Sequence, residues 1–268
     1  MRGVAAGVPF FAKPPEHARE SAPTIIVWHM HDPPRSETAM AAALPLRDVD
    51  AWRVYLGLPL SGARLPPGGL DAFFALGAED AVLKLYAPTV QQAVAEFPPA
   101  MTALRHDHGI AIRRVAFVGA SIGAFVALQL VVDALASPGA IVLVSPALRL
   151  TSVVAANERR FGVAYQWSDE ARDIAEQLDF VARAPALARR RVPVLVVAGA
   201  DDDRAGIVEP AESLVAALTG SGCDATLVRI PNMAHSIADE PGLEPSPQNA
   251  AATAVDEVVA AWLRQRCR

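Results

Sequence analysis

Apolar, β-branched runs recur along the chain at residues 24–28, 52–56, 115–118, 140–144, 194–198 and 225–230. Each is close to continuously apolar, the signature of a strand buried on both faces. Stretches with apolar residues at helical spacing lie between most of them, at 37–43, 90–97, 122–135 and 210–218, and another at 251–265 closes the sequence. This alternation predicts an α/β fold with a mostly parallel central sheet and helices on both faces.

Three places break the rhythm. Leu65-Pro66-Pro67-Gly68-Gly69 reads as a turn-rich loop, and Pro98-Pro99 is expected to split the helical region before the strand at 115, since proline disrupts a helix interior. Residues 148–191 separate two strands by far more chain than a simple crossover needs. They carry Asn157, Arg159, Phe161, Tyr165 and Trp167, then a helical stretch at 168–178. The expected organisation is one domain over residues 1–268 with a small lid inserted at about 148–191.

Composition narrows the classes. Of 268 residues, 52% are hydrophobic and 20% charged, which excludes a disordered chain. The net charge of -5 gives no basic field for nucleic acid or anionic lipid. Residues 115–132 are eighteen in a row without a charge, yet Gly119, Ser121 and Gly123 divide them into a strand, a turn and a buried helix rather than a membrane span. Two cysteines, Cys223 and Cys267, provide no framework of bridges and fit a reducing compartment. The opening MRGVAAGVPFFAKPPEH lacks a leader's apolar core, so the expected location is the cytoplasm.

The chemistry concentrates at Gly119-Ala120-Ser121-Ile122-Gly123, between the strand at 115 and the helix at 122. This Gly-x-Ser-x-Gly turn holds a serine on a sharp strand-to-helix reversal, where small residues make room and the helix N-terminus favours an oxyanion. A nucleotide loop would want Gly-x-Gly-x-x-Gly or a following Gly-Lys-Ser/Thr, and neither is present. A serine needs a base to take its proton and a carboxylate to orient that base. After Ser121 the sequence has one histidine, His235, just beyond the strand at 225–230. The strand at 194–198 runs into Gly199-Ala200-Asp201-Asp202-Asp203. Asp202, three residues after Gly199, is the candidate acid, with Asp201 and Asp203 as one-residue alternatives.

Together, Gly-x-Ser-x-Gly, Gly199-x-x-Asp202 and the late His235 resemble the α/β-hydrolase superfamily, from about Thr24 to the C-terminal helix. The separations are similar to those of the branch holding dienelactone hydrolases and the catalytic domains of prolyl oligopeptidase-like enzymes. The resemblance implies a serine hydrolase with Ser121 as nucleophile, cleaving small or medium carboxylic esters without a cofactor. Serine replaces the cysteine of dienelactone hydrolases and no propeller precedes the domain, so simple ester cleavage is expected over peptide or dienelactone hydrolysis. A peptidase, a perhydrolase or a catalytically silent ligand-binding protein are the alternatives.

The resemblance also implies an oxyanion hole built from the N–H of Ile122 and a second N–H after the early strand, in His29-Met30-His31-Asp32. His31 is the expected donor and Met30 the alternative; Met30 stands where the family has glycine and is expected to narrow the pocket. His29-x-His31 also has metal-ligand spacing, but the expectation is no metal. Phe161, Tyr165 and Trp167 are candidate pocket walls or lid anchors, and Arg64 is placed near the mouth or on the surface.

Overall fold

The computed structural model describes residues 1–17 and 21–267. Its elements are β1 (Arg2–Ala5), β2 (Val8–Lys13), β3 (Thr24–Trp28), α1 (Glu37–Ala43), β4 (Trp52–Leu56), α2 (Gly69–Asp80), a wide π-type turn at Ala81–Tyr86 and α3 (Ala87–His106). There follow β5 (Ala116–Ala120), α4 (Ile122–Val132), β6 (Ala140–Val144), α5 (Leu150–Phe161), α6 (Asp169–Gln177) and α7 (Ala184–Ala188). The chain closes with β7 (Val194–Gly199), α8 (Glu209–Gly220), β8 (Ala225–Ile230) and α9 (Ala250–Arg266).

Among the described residues the strands form one eight-stranded sheet in the order β1-β2-β4-β3-β5-β6-β7-β8. The β1–β2 and β2–β4 pairs are antiparallel, and every other pair is parallel. All residues of β3 to β7 are buried, as their nearly continuous apolar runs favour, Arg53 of β4 included, whereas β8 at the sheet edge is mostly half-exposed. Side chains alternate between the faces. Ile26, Trp28, Val54, Leu56 and Phe117 enter a core that includes residues of α3, α4, α7 and α8. Ile25, Val27, Tyr55, Ala116 and Val118 enter another shared with α1 and α9.

Residues 115–132 form a strand, a turn and a buried helix, and among the described residues no helix is long and apolar enough to cross a membrane. The expected break at Pro98-Pro99 does not occur: both prolines lie inside α3. Their rings are exposed, while Phe97 is anchored in an aromatic trio, 5.7 Å from Trp28 and 5.6 Å from Phe117 between ring centroids. Losing such an aromatic anchor costs roughly 3–5 kcal/mol, comparable to the ~3 kcal/mol a proline takes from a helix. Packing of Phe97, Ala100, Met101 and Leu104 therefore carries the helix through.

The insertion between β6 and β7 is pinched at its base. Leu150 N–H donates to Leu178 (3.2 Å), Phe180 N–H to Leu148 (2.8 Å), and Arg149 Nε to Asp179 (3.0 Å). Helices α5 and α6 occupy the closed-off segment, the second capped by the Ser168 hydroxyl on the N–H of Ala171.

Candidate active site

Ser121 sits at the end of β5 with φ 47° and ψ -115°, a strained backbone for a residue with a side chain. Its N–H is held by the carbonyl of Val144 (3.0 Å), and its own carbonyl accepts from Ala124 (3.0 Å) and Ala147 (3.2 Å). The reversal works only with small neighbours. A β-carbon on Gly119 would stand 2.5 Å from the Gly123 carbonyl oxygen, and one on Gly123 would stand 2.8 Å from the Trp28 carbonyl oxygen. The helix α4 thereby starts directly beneath the serine. The N–H of Ile122, its first residue, has no acceptor one turn earlier within the helix.

The structure brings Ser121, His235 and Asp202 into one hydrogen-bonded line. Ser121 Oγ lies 2.8 Å from His235 Nε2, and His235 Nδ1 lies 2.9 Å and 3.2 Å from the two Asp202 oxygens. A carboxylate only accepts, so Nδ1 carries the proton and Nε2 is free to accept from the serine hydroxyl. Asp202 is buried and also accepts the N–H of Asp203 (2.7 Å). Burial pulls the His235 pKa down, but the hydrogen bond and charge of Asp202, with Asp32 behind them, outweigh it and leave it raised above 6.5.

Neither neighbouring acid joins this line. Asp201 is exposed, and Asp203 pairs with Arg159 (2.8 Å) and accepts the N–H of Gly206 (2.6 Å) at the turn before α8. The loop bearing His235 is fastened to the loop bearing Asp202 by two backbone bonds, Ala200 N–H to Ile230 and Asp201 N–H to Met233, both 2.9 Å.

The loop after β3 lies beside this line. His29 is fully buried and neutral. Its Nδ1 donates to the Met30 carbonyl (2.8 Å), and its Nε2 accepts the N–H of Leu58 (3.0 Å), tying the end of β3 to that of β4. Burial drives its pKa down to about 4. Both ring nitrogens serve the backbone, so His29 is a brace between the ends of β3 and β4. His31 packs edge-on against Phe73 (5.0 Å) and near Tyr86 (6.0 Å), with Nε2 3.3 Å from the Thr89 hydroxyl. Burial, reinforced by His29, pushes its pKa down to about 3.

The N–H of Met30 is committed to the Pro34 carbonyl (3.3 Å). Met30 itself is fully buried in the core shared with α1 and α9, so its side chain packs the sheet's underside instead of narrowing a pocket. Phe161 lines no enclosed cavity: it is 63% exposed, at the surface end of α5. Tyr165 and Trp167 pack edge-on against each other (4.9 Å) and both lie against the main core, and the Tyr165 hydroxyl donates to Asp80 (2.6 Å), an anchor between insertion and body. Asn157 adds a second tie, donating to the Tyr86 hydroxyl (2.8 Å). Arg64 forms a two-pronged pair with Glu96 (2.6 and 2.8 Å). A cavity of about 620 Å³ lies elsewhere, walled by Gln129, Asp133, Glu176 and Arg183 among others.

Three side chains near the site were not singled out by the sequence. Arg35 is buried and joins the His31 carbonyl (2.8 Å) to the Pro241 carbonyl (2.6 Å) and to Glu240. Asp32 Oδ2 is 3.9 Å from His235 Nε2, and Asp32 Oδ1 is 3.4 Å from Arg160 of α5. The signal for Asp32 was its adjacency to His31; Arg35 and Arg160 meet their partners across more than a hundred residues, which no local spacing reveals.

A family model described as the prolyl oligopeptidase family matches residues 85–246. No curated protein matches the chain. Among solved structures, it is similar to a dienelactone hydrolase from Anabaena variabilis ATCC 29413 (TM-score 0.59, 15% identity, covering 100% of this chain and 97% of that one). It is also similar to carboxyl esterase 2 from Tuber melanosporum (TM-score 0.55, 15% identity, 100% and 84%). A third likeness is a puromycin-hydrolyzing peptidase from Mycobacterium tuberculosis (TM-score 0.66, 17% identity), where the match covers all of this chain and 40% of that one. At these identities the solved structures speak for the fold, and the family match, over more than half of the 268 residues, speaks for kinship: the chain belongs to the prolyl oligopeptidase family of α/β-fold serine hydrolases.

Proposed function

We propose that this protein cleaves carboxylic esters of small or medium size through an acyl-enzyme, with Ser121 as nucleophile, His235 as base and acid, and Asp202 as its orienting carboxylate. The observation that carries this reading is the continuous line from Ser121 Oγ to His235 (2.8 Å) and on to Asp202 (2.9 Å). As Ser121 attacks the carbonyl carbon, its proton passes to Nε2, and the imidazolium is stabilised by Asp202. His235 then returns that proton to the departing alcohol, and water repeats the cycle to release the acid.

Charge on the tetrahedral oxygen falls to the N–H of Ile122, favoured by its place at the start of α4, and to the N–H of His31. Met30 is the weaker candidate because its N–H already serves Pro34. The insertion is tied to the body through Tyr165 and Asn157, and its Arg160 reaches Asp32 beside this site. The chemistry calls for no cofactor.

A peptidase reading has one specific support, the family match itself. Matched 4-nitrophenyl esters and 4-nitroanilides of the same acyl groups separate the two. Ester turnover that disappears in Ser121→Ala, with little anilide turnover, supports the esterase; comparable rates on both favour the peptidase. Ester turnover undiminished in Ser121→Ala contradicts the whole assignment.

A further inference from the structure

The acyl transfer derived above leaves Asp32 without a task, although its carboxylate is 3.9 Å from His235 Nε2, the atom that sits 2.8 Å from Ser121 Oγ. Nε2 hands the proton to the leaving group, so a charge beside Nε2 is a charge beside the leaving group. The Asp32 side chain is 28% exposed, open to an incoming molecule. The structure already places a cation there: Arg160 Nη1 lies 3.4 Å from Asp32 Oδ1, and the same guanidinium rests 5.3 Å from the ring centroid of the exposed Phe161. An exposed pair of that length contributes little and is readily exchanged for another cation. One guanidinium thus reaches both a carboxylate and an aromatic face, the two groups that suit an ammonium.

We propose that Asp32, with Phe161 at the rim, selects substrates whose leaving group carries a positive charge, of the aminoalkyl or quaternary-ammonium type, and that Arg160 is the resident cation such a substrate displaces. The inference rests on the reading of Ser121 as nucleophile and narrows it to a substrate class. In the reaction the bond from Ser121 Oγ to the acyl carbon forms and the bond from that carbon to the leaving heteroatom breaks. The serine proton travels through His235 to that heteroatom, while the ammonium stays charged throughout. An anionic leaving group meets the Asp32 carboxylate and is disfavoured by the same Coulomb interaction.

Three thioesters that release a free thiol test this: acetylthiocholine, its uncharged analogue 3,3-dimethylbutyl thioacetate, and the anionic S-acetyl-3-mercaptopropionate. Wild-type kcat/KM is expected to be about tenfold higher for the cation than for the neutral ester, and lower for the anion. Asp32→Asn should bring the cation-to-neutral ratio close to one, and Arg160→Gln should raise it about threefold by removing the competitor. Arg160→Gln keeps the test decisive if Asp32→Asn does not fold. Equal wild-type rates overturn the proposal, as does a ratio that survives Asp32→Asn, or a preference for the anion that Arg160→Gln abolishes. A neutral fluorophosphonate applied to each variant separates the levels. Labelling of Ser121 with no charge preference sinks this inference alone, whereas no labelling and no thiol release from any ester sinks the hydrolase reading with it.

Discussion

Gly199 and Met233 touch backbone to backbone: a β-carbon on Gly199 would lie 2.1 Å from the Met233 carbonyl oxygen. That carbonyl accepts the N–H of Asp201, so the contact sets the distance between the loop carrying Asp202 and the loop carrying His235. Gly199→Ala must push these loops apart. We expect kcat/KM on an activated ester to fall about 100-fold, because displacement of a catalytic group by about an ångström costs that much. The stability loss, read by urea denaturation, should be about 1–3 kcal/mol, as for other overpacked sites. Unchanged kinetics would show that the two loops are positioned by something else.

The three adjacent aspartates should separate cleanly. Asp202→Asn leaves His235 without its acceptor and is expected to lower kcat by about 10⁴. Asp201→Asn, at an exposed position, should leave kcat within twofold of wild type, on the order of other neutral surface changes. Asp203→Ala removes the side-chain acceptor of the Gly206 N–H and should cost about 1 kcal/mol of stability with kcat largely kept. Steady-state kinetics and denaturation on the three variants check the assignment.

The pH profile follows from His235. Nε2 must be unprotonated to accept from Ser121, so kcat/KM should rise with pH through a limb whose midpoint lies above 6.5, the direction of the shift. Asp32→Asn removes one of the charges that raise this pKa and should move the limb to lower pH. For stability the sign is opposite to that of activity. A raised folded pKa stabilises the fold below pH 6.5, and that contribution disappears as pH rises through the folded value. A limb below 6.5 in the wild type would contradict this electrostatic picture.

Much of the architecture was legible because β3 to β7 are buried on both faces and their sequences are close to continuously apolar. The hairpin β1–β2 was not, since its short, half-exposed strands carry Arg2, Gly3 and Pro9 in place of a long apolar run. Helix α2 was hidden too: among its residues only Phe73 is buried, so its sequence shows a weak apolar stripe. Pro98 and Pro99 misled because local propensity says nothing of the aromatic trio around Phe97. At the site, the Gly-x-Ser-x-Gly turn and the single late histidine identified residues that the fold joins. Met30 was misplaced because side-chain direction depends on which face of the sheet is covered.

His29 gives the fold an acid sensitivity of its own. Between pH 6.5 and about 4 the unfolded chain takes up a proton that the buried, folded imidazole refuses, so stability should fall with pH. The loss is about 3 kcal/mol for a shift of this size. His29→Leu strands the Leu58 N–H and should cost about 2–4 kcal/mol at pH 7. Its penalty relative to wild type should shrink at pH 5. Denaturation curves at the two pH values give both numbers.

The most direct measurement is covalent labelling of the native protein with a fluorophosphonate, followed by peptide mapping. The proposed function predicts one modified residue, Ser121, with labelling lost on denaturation and in Ser121→Ala, and slowed strongly in a His235→Ala variant. A native, folded protein that takes no label, or one labelled equally well after Ser121→Ala, would contradict it.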